Sequence, residues 1–213
     1  MMNDHRMKVP RRKNPGVKIS RVRILCGICL AGLLFASAQA AEWQVDKQSK
    51  NLVKFTSEVV VLTFDGVTDK IDGFIYWEGE KAFPDSTRMR FEVDLNSIET
   101  GIGKRDRDMR DVLETGKWPF TSFEGTLTGV QPTDSSRSAY KATAKGKIFI
   151  HGVEREIEVP GTITMEQGKM HVIADFMVRL KDFNIAAPSL AAFVKVSEEI
   201  LLHLDFYLSE IKQ

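Results

Sequence analysis

The feature that most restricts this chain is a hydrophobic repeat of period two. In the stretch 88–98, Met89, Phe91, Val93 and Leu95 alternate with Arg88, Arg90, Glu92 and Asp94. Consecutive strand residues point to opposite faces, so the pattern predicts a strand with one face buried and one wet. The same reading holds for 153–165, 169–180 and 197–208. Weaker strands are predicted at 42–47, 51–64 (with a bend or break), 67–78, 120–130 and 139–150. Turn signals fall at Asp65-Gly66, Phe83-Pro84-Asp85, Gln131-Pro132-Thr133-Asp134, His151-Gly152 and Gln167-Gly168. Eight or nine antiparallel strands with short connections call for a closed or sandwiched sheet, because open edges invite aggregation. The expected fold is all-β, an extended antiparallel eight-stranded β-barrel with a short helical insertion. That insertion lies within 103–120, where Met109, Val112 and Leu113 recur at helical spacing, with Gly116 as its expected stop.

Charge divides the chain in two. Residues 1–40 carry 8 Lys and Arg against one Asp, and the rest carries 22 against 28 Asp and Glu. The basic stretch precedes an apolar run at 24–36 and then Ala38-Gln39-Ala40, the layout of a secretory signal peptide cleaved near Ala40. Its apolar run makes about 20 Å of helix, short of the roughly 30 Å hydrocarbon core, so no stable membrane span is expected after cleavage. Arg11-Arg12 lacks the apolar residue that usually follows a twin-arginine pair. Cys26 and Cys29 both lie inside the leader, so the exported domain, 41–213, is expected to hold neither disulfide nor thiolate metal site. Its acidic balance argues against nucleic acid as a partner.

The inward face carries the functional information. Along 139–150, Tyr140, Ala142, Ala144, Gly146, Ile148 and Ile150 oppose Lys141, Lys145 and Lys147, so three successive inward positions are Ala or Gly. Gly125, Gly161 and Ala174 add further small residues. An eight-stranded barrel is just wide enough to be filled by its side chains or to admit one small ligand, and these gaps favour a cavity. Candidate ligand-binding residues are Phe91, Val93 and Phe123, then Ala142, Ala144, Gly146 and Ile148. Ile157 and Val159, Ala174, Phe176 and Val178, and Leu204 and Phe206 complete the set. Arg155 is the one charge expected on this face, so a long apolar guest is favoured over a sugar or nucleotide.

Catalytic and metal signatures are missing from the sequence. The acidic run Asp106, Asp108, Asp111 and Glu114 is interleaved with Arg105, Arg107 and Arg110, which reads as a solvated helix face. His151, His171 and His203 are far apart and lack zinc-ligand spacing. No nucleophile elbow, Walker loop or dinucleotide fingerprint is found, so neither an enzyme nor a catalytic cofactor is expected. Trp43, Trp77 and Trp118 are expected to pack in the core or at the rim.

Several residue groups in order resemble the YceI-like family of polyisoprenoid-binding periplasmic proteins. They are Trp43-x-Val45-Asp46, Phe64-Asp65-Gly66, Phe91-x-Val93-Asp94-Leu95, Arg105-Asp106-x-x-Met109-Arg110, Trp118-Pro119, Gly152-Val153 and Lys181-Asp182-Phe183. The resemblance implies a lipocalin-like barrel with a tunnel for an isoprenoid lipid, ubiquinone or a polyprenyl phosphate, and the helix at one end. Two departures stand out. Ser49-Lys50-Asn51 replaces a common His-Ser pair, and Asn184 stands where many members have Gly. A filled barrel serving as a stress-response or interaction protein, and an isoprenoid-modifying enzyme, are the alternative readings. A homodimer through exposed edges or the helix is left open.

Overall fold

A computed structural model describes residues 40–59, 62–191 and 194–211. The expected leader, apart from Ala40, lies outside the described residues, and Cys26 and Cys29 with it. The elements run β1 (Ala40–Val45), β2 (Leu52–Val59), β3 (Leu62–Thr68), β4 (Ile71–Glu78), β5 (Arg88–Asp94), α1 (Gly103–Val112) and β6 (Phe120–Pro132). They continue with β7 (Ala139–Ile150), β8 (Val153–Glu166), β9 (Lys169–Arg179), β10 (Ser189–Ala191) and β11 (Val194–Glu210). Antiparallel pairing follows the order β1-β4-β5-β6-β7-β8-β9-β11, and β11 returns to β1 from Trp43↔Glu210 to Val45↔Leu208. The result is a closed eight-stranded barrel.

The β2–β3 hairpin extends this wall. β2 pairs with β11 from Val196 to Asp205, so β1 and β2 follow one another along a single edge of that long strand. β3 pairs with β2 and, on its other side, is bridged by Val67↔Glu99. The 3-10 turn Leu95–Ser97 and α1 occupy the connection between β5 and β6 beside it. Among the described residues no helix is long and apolar enough to cross a membrane.

Most alternating segments become strands as expected, and 51–64 has its expected break, with Val59 paired to Leu62. Two local readings are corrected. Asp65-Gly66 is no turn; it lies in the middle of β3, where Gly66 faces Phe55. The expected strand 67–78 is divided instead at Asp69-Lys70, where the Lys70 N–H donates to Thr68 Oγ1 at 3.0 Å. By contrast, His151-Gly152 and Gln167-Gly168 form the expected hairpin turns. Their φ values of 51° and 78°, and of 50° and 78°, match the strand twist of a two-residue loop.

Helix α1 stops before Gly116. Glu114 takes the left-handed conformation at φ 48°, its N–H reaching Asp111 O at 3.2 Å, and Thr115 N–H reaches Arg110 O at 3.0 Å. These two bonds satisfy the last helical carbonyls without a glycine. Asn184 likewise accepts the left-handed position at φ 57° after the 3-10 turn Leu180–Phe183, a conformation asparagine tolerates. The departure from glycine there is therefore conformationally neutral.

Two apolar clusters line the barrel interior. One, around Trp43, Ile75, Trp77, Phe83, Met170, Phe206 and Leu208, packs the end closed by β1 and β4. The other, around Ile148, Val178, Phe183, Ile185 and Ile200, packs against Val112 and Leu113 at the helix end. Trp118 supports that end from outside the clusters, its ring seated on Gly152 where a Cβ would fall 2.6 Å away.

Candidate ligand-binding cavity

The helix end of the barrel holds a cavity of about 540 Å³ that is partly open to solvent. Its walls come from β2 (Val53, Phe55), β3 (Phe64), β5 (Phe91, Val93), β6 (Phe123), β9 (Phe176, Val178) and β11 (Ile200, Leu202, Leu204). Met109 and Val112 of α1, with Leu113 just after it, also line the cavity. A second space of about 90 Å³ lies toward the β1–β4 end, lined by Ala142, Ala144, Gly161 and Ala174 together with Ile75, Met89 and Phe206. Phe91, Phe123, Phe176 and Leu204 border both spaces, forming a collar between them.

The sequence-predicted residues divide between the two. Phe91, Val93, Phe123, Ile148, Phe176, Val178 and Leu204 line the larger cavity. Ala142, Ala144, Val159, Ala174 and Phe206 line the smaller one. Gly146 and Ile157 line neither. Gly146 faces Gly125 across β6 and β7, and a Cβ on it would lie 2.2 Å from Glu124 O, so glycine there permits close backbone approach. Arg155, expected on the inward face, is exposed.

The small inward residues therefore do not hold most of the volume. At their end, Phe206 and Ile75, each 1% exposed, and Met170 and Leu208, at 0%, reach in from facing strands and fill the room. The large volume arises where aromatic rings lie over glycines. A Cβ at Gly66 would stand 2.1 Å from Phe55 Cε1, one at Gly73 2.7 Å from Phe91 Cδ1, and one at Gly125 2.9 Å from Phe123 Cζ. The sequence reading passed over Val53, Phe55, Phe64 and the helix contacts. The aromatic–aliphatic alternation of Val53 and Phe55 was a signal, but reading Asp65-Gly66 as a turn hid the partner strand.

Three charged side chains line the cavity, all from α1: Lys104, Arg105 and Asp108. Lys104 and Asp108 pair at 2.7 Å. Asp106 is buried rather than solvated, correcting the sequence expectation; Thr100 donates to it from its N–H at 2.8 Å and from its hydroxyl. These bonds, with the nearby charges of Arg110 and Arg105, hold its carboxyl below the usual range. The histidines sit apart from the cavity. His171 Nε2 lies 2.7 Å from Asp205 with its ring stacked on Tyr207, and His203 Nδ1 lies 2.8 Å from Asp175. His151 Nδ1 lies 3.1 Å from Phe183 O. Among the described residues no three His, Cys, Asp or Glu side chains are grouped to hold a metal ion.

A closed antiparallel barrel with a hydrocarbon-walled interior cavity under one short helix defines a lipocalin-like β-barrel protein. Residues 43–208 match the YceI-like domain, and the chain belongs to that family. It is 26% identical over 174 residues to Protein YceI of Salmonella newport, covering 76% of this chain and 86% of that protein. Its fold is similar to BcnA of Burkholderia cenocepacia, with a TM-score of 0.63 at 16% identity over 78% of this chain and 99% of BcnA. It is also similar to a polyisoprenoid binding domain from Saccharophagus degradans implicated in plant cell wall breakdown. That match has a TM-score of 0.62 at 14% identity, covering 81% of this chain and the whole of that domain (100%).

Proposed function

We propose that this protein binds an isoprenoid lipid, a prenyl quinone or a polyisoprenoid phosphate, and carries or stores it in the periplasm as a binding protein rather than an enzyme. The observation that carries this reading is the cavity of about 540 Å³ whose walls are mainly aromatic and aliphatic side chains, with the hydroxyls of Ser57, Thr121 and Ser122 among them and charge confined to α1. An apolar cavity of about 150 Å³ takes up one benzene, so by proportion this volume suits roughly 20 carbon atoms, or about four isoprene units. Each five-carbon unit leaving water gains up to about 4 kcal/mol before ordering costs, so a few units give tight binding without polar contacts. The Saccharophagus relative, described as polyisoprenoid binding, supports the ligand class. The leader-like residues 1–40 support export.

The test is organic extraction and mass spectrometry of protein purified from its native host, with cell fractionation to place it. A co-purifying prenyl lipid in the periplasmic fraction is expected. Absence of any such lipid, together with no uptake of added prenyl quinone or prenyl phosphate, overturns the reading.

A further inference from the structure

Arg105 stands where the apolar cavity meets α1, and its guanidinium is held in place by the protein alone. Nε donates to Thr100 Oγ1 at 2.9 Å and Nη2 donates to the Thr100 carbonyl at 2.7 Å. The guanidinium carbon lies 4.5 Å from the centroid of the Phe64 ring, itself part of the cavity wall. Thr100 is fixed in turn by its two bonds to Asp106, whose exposure is 9%. A buried carboxylate thus positions a threonine, and the threonine positions the arginine.

That fork is not fully used. Among the described residues Nη1 of Arg105 bonds no protein acceptor, and no carboxylate lies within ion-pair distance of the guanidinium. Asp106 bonds to it only through Thr100. The other two lining charges, Lys104 and Asp108, pair with one another, so Arg105 is the one charge lining the cavity without a direct ion pair, the Asp106 carboxylate reaching it only across the Thr100 hydroxyl. A half-buried guanidinium beside hydrocarbon is poorly solvated, and a planar donor fork held in advance matches phosphate oxygens.

We propose that Arg105 is the head-group site of this cavity and receives the anionic oxygens of a phosphate carried on a prenyl chain whose tail lies against Phe55, Phe91 and Phe123. This inference rests on the lipid reading above and selects the phosphate over the neutral quinone head. Thr100 and Asp106 are positioning residues.

Geranylgeranyl phosphate and geranylgeraniol, which share one tail and differ in head charge, separate the two claims when titrated against the full chain. The wild type should bind the phosphate at least about tenfold more tightly than the alcohol, the scale of a charge-assisted hydrogen bond. That preference should shrink as salt is raised. Arg105→Gln should bring phosphate binding down to the alcohol level and leave alcohol binding within about twofold. Arg105→Lys, keeping charge without the fork, should retain part of the preference. Equal binding of the two heads by the wild type, or equal weakening of both by Arg105→Gln with Arg105→Lys behaving as wild type, would overturn the head-group site while the lipid reading stands. Failure of the wild type to bind either probe would overturn both.

Discussion

Phe55 of β2 lies across Gly66 of β3, its Cε1 only 2.1 Å from where a Cβ on that glycine would stand. The two are direct cross-strand partners, so the glycine seats the ring against the barrel wall. The cavity owes its breadth to contacts of this kind.

Gly66→Ala should therefore push the Phe55 ring toward the barrel axis. The expected cost is about 1–3 kcal/mol of overpacking, together with reduced capacity for a prenyl chain. Urea denaturation and titration with prenols of graded length measure the two effects. Unchanged stability and capacity would show that the ring turns aside freely.

Phe123→Ala should open the collar and join the two spaces. Removing so large a side chain should cost about 3 kcal/mol, while the longest chain accepted should increase. A graded-length prenol series read by displacement reports the change. If the length limit stays put, the collar does not set it.

Ala144→Phe bears on the smaller space of about 90 Å³. A phenyl ring there overfills a region already occupied by Phe206 and Ile75 and should lower stability by about 1–3 kcal/mol. Because Ala144 does not line the larger cavity, prenyl chains short enough to lie wholly within it should bind nearly as before. A complete loss of such binding would place the guest at the other end of the barrel.

Asp46 ties the β1–β2 connection to Lys169 at the start of β9. Its carboxyl is held well below the usual range, first by Lys169 Nζ at 2.6 Å, then by Gln48 N–H at 2.9 Å and the Ser49 hydroxyl at 2.9 Å. A carboxylate whose folded pKa is depressed contributes fully above its unfolded value, and the contribution fades as pH drops through the range below about 4. Asp46→Asn should cost about 1–2 kcal/mol at neutral pH. The gap to wild type should narrow as pH falls from about 5 to about 2. Parallel pH–stability curves for the two proteins would contradict this assignment.

Binary patterning determined the class of fold, because the side-chain period of a strand is a local property. Phe91, Val93, Phe176 and Leu204 were placed on the inward face by that period alone, and they lie on the cavity wall. Two-residue hairpins at His151-Gly152 and Gln167-Gly168 were legible for the same local reason. What no single segment contains is which inward residues oppose each other across the axis. Ala142 and Ala144 looked like open space in sequence, yet Phe206 and Ile75 from distant strands take most of it up. Phe55 drew no notice in sequence, yet Gly66 on the next strand lets its ring lie against the wall beside the cavity. Arg105, read as one of several solvated helix charges, lines the cavity with its guanidinium held by Thr100, which the buried Asp106 fixes in turn. Alternation fixes which way a side chain points, whereas only closure of the barrel decides what it meets there, and that meeting sets both the volume and the charge of the interior.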